Sequence, residues 1–207
     1  MPSNRPERLI YLIRHGSIAL EADEHRYIGQ TDVPLSQNGV RQALLLQRHF
    51  SGKSIAAAFC SDLVRSLDTA SVICRGLTDC VTIRPALREI NMGEWDGKSF
   101  CEIDQAHPGA YGDRGKNIAA YRIPGAETFE ECQARMLKAF SVIMESVEGN
   151  VLLVGHAGIN RLLLCHILGM PLEHMFRISQ DYACINVLAD SGGKYRVKLL
   201  NGNCHNI

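Results

Sequence analysis

Two short apolar runs, Leu9–Ile13 and Val151–Val154, constrain this chain more than any other feature. Both are rich in Leu, Ile and Val, the pattern of a strand buried in the interior of a sheet. Each then stops on a polar group beside glycine: Arg14-His15-Gly16 after the first, Gly155-His156-Ala157-Gly158 after the second. In an open α/β sheet, ligands bind at the carboxyl ends of the strands. Two parallel strands of this kind place both histidines at one edge. The stretch Ile159–Leu168 reads as a helix, and the backbone N–H groups at its start favour an anion at the same spot.

The remaining periodicity fits that frame. Ile55–Cys60, Val81–Arg84, Cys184–Leu188 and Tyr195–Leu200 read as further strands. Ser36 is a candidate N-cap for a helix over Gln37–His49, and Asp62 for one over Leu63–Gly76. Thr128 with Glu131 matches a capping box. It opens a long helix whose stripe is Phe129, Cys132, Met136, Phe140, Ile143 and Val147. The alternation predicts an α/β fold: a doubly wound, mostly parallel sheet with helices on both faces. Asp190-Ser191-Gly192-Gly193-Lys194 reads as a hairpin turn that adds an antiparallel edge. The 207 residues suit one domain, 1–207, in which 92–124, glycine-rich and without clean periodicity, is expected to form a lid or irregular insertion.

Composition excludes several classes. Net charge is +0 and no basic stripe runs along the chain, which argues against nucleic acid as a partner. No apolar run reaches membrane-spanning length. The first eight residues carry Arg5, Glu7 and Arg8 without an apolar core, so no secretory signal is read there and a cytoplasmic protein is expected. The eight cysteines include no Cys-x-x-Cys pair. They suit free thiols in a reducing compartment, and their spacing does not suggest zinc.

The polar residues near the predicted strand ends suit phosphoryl chemistry. Arg14 supplies a forked donor matched to phosphate oxygens, and His15 can act as nucleophile or proton carrier. Arg65, just past the strand ending at Cys60, is a second cation for the same edge. Glu89 follows the Val81–Arg84 strand and can protonate a leaving oxygen, a role for which Glu94 and Asp96 compete on composition alone. Two arginines disfavour a third cation nearby, so His15 is expected to stay neutral. Trp95 reads as packing.

Taken together, these pieces resemble the histidine phosphatase superfamily, also called phosphoglycerate-mutase-like. The matching segments run in order through the chain. They are Leu12-Ile13-Arg14-His15-Gly16; Tyr27-Ile28-Gly29-Gln30-Thr31-Asp32-Val33-Pro34-Leu35-Ser36; Ser61-Asp62-Leu63-Val64-Arg65 with Thr69-Ala70; Leu87-Arg88-Glu89-Ile90 with Gly93, Trp95 and Gly97; and Val154-Gly155-His156-Ala157-Gly158 with Arg161. The resemblance implies that His15 becomes a phosphohistidine, that Arg14, Arg65 and His156 hold the phosphoryl oxygens, and that Glu89 is the proton donor. It further implies Gly29, Gln30 and Ala157 as substrate-binding positions, and no metal or cofactor. Ser17 stands where many relatives carry Glu. Glu21 lies near a position where relatives often place a phosphate-binding Asn, so that role is not carried over. His25 is placed in a loop bordering the pocket.

The short interval from Glu89 to His156 resembles the phosphatase branch, and Gln180–Val187 is similar to α-ribazole-phosphate phosphatases. The expected activity is therefore hydrolysis of a small phosphorylated metabolite, with α-ribazole 5′-phosphate as one candidate. A cofactor-dependent phosphoglycerate mutase and a non-catalytic phosphate-binding protein are the alternatives. The edge hairpin also suits pairing of two copies as a homodimer.

Overall fold

The computed structural model describes residues 7–20, 26–77 and 81–204. Six strands form one sheet: β1 (Arg8–Arg14), β2 (Ala57–Cys60), β3 (Val81–Ile83), β4 (Val151–Gly155), β5 (Ile185–Asp190) and β6 (Tyr195–Gly202). Their order is β3-β2-β4-β1-β5-β6. The first four lie parallel, with Arg14 opposite Gly155 at the end of the β1–β4 register. β5 runs antiparallel to both β1 and β6, so the antiparallel part is two strands wide. Gly192 and Gly193 take positive φ in the turn between them, and Asp190 accepts the Gly193 N–H at 2.7 Å.

Strand alternation sorts the core into two faces. Ile10, Leu12, Val151 and Leu153 pack against α5 (Phe129–Ser146) and α6 (Ala157–Leu168). Tyr11, Ile13, Leu152 and Val154 turn the other way, toward α1 (Gln37–Phe50) and α2 (Val64–Cys74). A run apolar at every position is what a strand covered on both sides requires. Among the described residues no helix is long and apolar enough to cross a membrane.

The caps agree with the sequence in two of three cases. Ser36 accepts the Gly39 N–H, and Thr128 and Glu131 form a reciprocal capping box. Asp62 does not cap α2. Both of its oxygens are taken by Arg88, at 2.7 and 2.6 Å. The Val64 N–H is met instead by Asp32, at 2.8 Å, from a distant loop.

Residues 92–124 contain more regular structure than their glycines suggest. A 3₁₀ turn at Gly93–Trp95 is followed by α3 (Phe100–Ala106) and α4 (Ala110–Lys116). Ser99 and Glu102 make a capping box ahead of α3, a Ser-x-x-Glu signal present in the sequence. Trp95, Ile103, Ala119 and Ile123 are buried in the same core cluster as β1 and β4. Trp95 packs among Tyr27, Tyr111 and Tyr121, with ring centroids 5.5–6.2 Å apart.

Candidate active site

The carboxyl ends of β1, β2 and β4 bring the candidate residues together. His15 follows β1, Ser61 follows β2, and His156 sits between β4 and α6. The two imidazoles are buried with ring centroids 5.0 Å apart. Nδ1 of His15 lies 2.7 Å from the Gly16 carbonyl oxygen. A carbonyl only accepts, so Nδ1 carries the hydrogen, and in the neutral ring the lone pair is on Nε2. Burial holds the pKa of His15 well below the usual histidine value, and the Arg14 and Arg65 cations add to the effect. His156 is lowered likewise, first by burial and then by His15 and the two arginines.

Arg14 is anchored through one Nη atom and Arg65 through both. Arg14 donates from Nη1 to the Gln180 carbonyl at 2.6 Å, while the Tyr182 ring covers its face at 3.7 Å. Tyr182 also stands 5.6 Å from the His15 ring. Arg65 is 1% exposed and donates to the Thr31 and Gly29 carbonyls, at 2.8 and 2.5 Å. Nε of Arg14, Nε of Arg65 and Nδ1 of His156 are buried and have no hydrogen-bond partner. Orphaned buried donors are expensive, and three of them in one neighbourhood are the arrangement an incoming anion would satisfy.

Glu89 accepts N–H bonds from Gly158 at 2.8 Å, Ile159 at 3.2 Å and its neighbour Ile90 at 2.9 Å. The helix start expected to face an anion thus faces this carboxylate for at least two of its N–H groups. Glu89 lies close enough to Arg65 to support that cation electrostatically. Its backbone carbonyl is held by the Gln30 side chain at 3.1 Å.

Gly29 and Gln30 come next to the site as supports. The Gly29 carbonyl holds Arg65, and the Gln30 amide links Glu89 to Arg88. Ala157 opens α6 beside His156. Asp96 is occupied by three backbone N–H groups, of Gly29, Gln30 and Thr31, and Glu94 is exposed. Ser17 fastens the loop after β1 to α1 through Ser36 and Gln42. Glu21 and His25 lie outside the described residues. Among the described residues, no group of three or more His, Cys, Asp or Glu side chains is disposed to hold a metal ion.

Sequence reasoning assigned no role to several neighbours of these groups. Ser61 Oγ lies 2.8 Å from Nε2 of His156. Thr69 accepts the Gly16 N–H and donates to the Arg65 carbonyl, at 3.1 and 2.7 Å. Tyr182 is delivered from far downstream of the β1 strand, on a loop in which Ala183 adopts φ +58. Ser61 was within reach of the strand-end rule. Tyr182 carried no local signal.

The model of the histidine phosphatase superfamily (branch 1) matches residues 10–203. The chain belongs to that superfamily. A Hydrogenobacter thermophilus protein, provisionally named phosphoserine phosphatase 2, is 29% identical over 95% of this chain and 96% of its own length. A Cronobacter sakazakii protein, provisionally named phosphoglycerate mutase GpmB, is 32% identical over 78% of this chain and 75% of its own. The crystal structure of the α-ribazole phosphatase from Shigella flexneri superimposes with a TM-score of 0.86 at 26% identity, covering 94% of this chain and 96% of that one. The fold is thus that of the histidine phosphatases, and phosphatases are prominent among its relatives.

Proposed function

We propose that this protein is a phosphomonoesterase that hydrolyses a small phosphorylated metabolite through a phosphohistidine on His15. One observation carries the reading: Nδ1 of His15 is tied to the Gly16 carbonyl beside three buried nitrogen atoms that have no partner. The free Nε2 attacks phosphorus; the P–N bond forms as the bond to the leaving oxygen breaks. Arg14, Arg65 and His156 hold the phosphoryl oxygens, and positioning with charge neutralisation supplies most of the rate. His156 donates from Nδ1 when the Ser61 hydroxyl gives its hydrogen to Nε2. Glu89, entering the step with its carboxyl protonated, hands that proton to the departing alkoxide. Left as a carboxylate, it takes one from the water that then cleaves the P–N bond, releasing phosphate and regenerating both groups.

Incubation with p-nitrophenyl phosphate should release phosphate and trap an acid-labile, base-stable phosphoprotein. His15→Ala should lose both signals; full turnover by that variant would end the proposal. A panel containing α-ribazole 5′-phosphate and phosphoserine addresses the leaving group, since relatives bear both names. Phosphoryl exchange between 2- and 3-phosphoglycerate without phosphate release would favour the mutase reading, suggested by the Cronobacter relative. Phosphate binding without turnover of any ester would favour a non-catalytic role.

A further inference from the structure

We propose that Asp96 is a positioning residue for Arg65, acting as one of its counter-charges through a single peptide unit. The inference rests on the phosphatase reading for its functional weight and on the hydrogen bonds alone for its geometry.

Arg65 is almost fully buried, yet its two Nη groups contact carbonyl oxygens, of Thr31 and Gly29, and no carboxylate. Behind those carbonyls stands Asp96. Its Oδ1 accepts the Gly29 N–H at 2.9 Å, and its Oδ2 accepts those of Gln30 and Thr31 at 2.7 and 3.0 Å. The Gln30 N–H and the Gly29 C=O belong to the same peptide group. That plane therefore has a carboxylate on its N–H side, at 2.7 Å, and a guanidinium on its C=O side, at 2.5 Å. Hydrogen bonds in series polarise one another, so the peptide passes the attraction of Asp96 on to Arg65.

The arrangement solves a conflict. A buried cation needs compensation, but a carboxylate directly on Arg65 would compete with a phosphate for its donors. Burial lowers the Arg65 pKa, and Glu89, Asp32 and then Asp96 offset it; of these Asp96 acts one step removed, through the peptide, and leaves Nε open. The surrounding chain is fixed to suit. Trp95 is buried beside Asp96, and Gly97 N–H and Tyr27 N–H bond across between the two loops, at 2.7 and 3.0 Å. A Cβ at Gly29 would sit 2.5 Å from the Ile90 carbonyl oxygen, so the relay peptide lies against the loop that carries Glu89.

The test measures binding of inorganic phosphate by calorimetry and turnover of p-nitrophenyl phosphate in two double-mutant cycles. Asp96→Asn keeps the shape and removes the charge. It should weaken phosphate binding and lower kcat/KM by about tenfold or more, within the range a misplaced group can cost. In an Arg65→Lys background the further loss should shrink to about threefold or less, whereas in Arg14→Lys it should remain in full. Equal losses in both backgrounds would mean general loop support and would overturn the proposal. If Asp96→Asn does not fold, Asp96→Glu, which keeps but displaces the charge, replaces it with the same pattern expected at smaller size. Side-chain NMR reads the geometry independently of activity: Arg65 N–H exchange should be slow in the wild type and faster in the variant. Unchanged exchange sinks the relay even if the enzyme is active. A wild type that binds no phosphate and turns over no ester refutes the phosphatase reading, while the exchange measurement still decides the relay.

Discussion

Gly158 lacks a side chain, and Glu89 depends on that. A Cβ built at Gly158 would lie 2.4 Å from Oε1 of Glu89 and 3.1 Å from its carboxyl carbon. The carboxylate cannot withdraw freely, because the Ile90 and Ile159 N–H groups also hold it. Gly158→Ala should therefore displace Glu89, the proposed proton donor, and leave Arg14 and Arg65 in place. The expected result is a fall in kcat of about 10²-fold with little change in inorganic phosphate affinity, separable by steady-state kinetics and calorimetry. At this scale the sequence was readable where charge meets a strand end, as at Arg14, His15 and His156. It was silent where one polar group serves another far along the chain. Asp32 on Val64, Asp96 on the 29–31 loop and Tyr182 on Arg14 are pairings that only the completed fold creates.

The elements behave as mounts for these groups. Arg135, on α5, donates to the carbonyls of Ala86, Arg88 and Glu89 at 2.7, 3.1 and 3.5 Å, and pairs with Glu127 at 2.5 Å. Glu127 in turn accepts the Asn91 N–H at 2.9 Å. One helix thus clamps the whole segment that presents Glu89. Arg135→Met should cost about 2–4 kcal/mol, because it strands a half-buried carboxylate and several carbonyls, and it should depress kcat as well. Urea midpoints and turnover of the same variant check the two effects. The long helices were legible because their stripes repeat over several turns. α3 and α4 are seven residues each, too short for a 3.6-residue period to emerge from a glycine-rich background.

For the whole molecule, the buried histidines make stability depend on pH. In the unfolded chain His15 and His156 take up protons near 6.5, whereas in the folded protein both remain neutral well below that value. The unfolded state then binds more protons, so stability is lost as pH falls from about 6.5 toward the folded values and is unaffected by these groups above it. Relative to wild type, His15→Gln should gain stability between pH 7.5 and pH 5.5 in paired urea titrations; no gain would contradict the burial argument. Phosphate should act in the opposite sense. At about 100 times its Kd it adds about 2.7 kcal/mol, visible as a rise in Tm that Arg65→Ala abolishes.

The order of strands carries one more consequence. β1, the first strand among the described residues, lies between β4 and β5, and its partners for Ile10 and Arg8 are Val151 and Asp190. A nascent chain must therefore extend past α5 before that strand gains a neighbour on either side. Contacts of such long range make folding slow. A product interrupted before β4 therefore leaves His15 at the end of an unpaired strand, without His156 beside it.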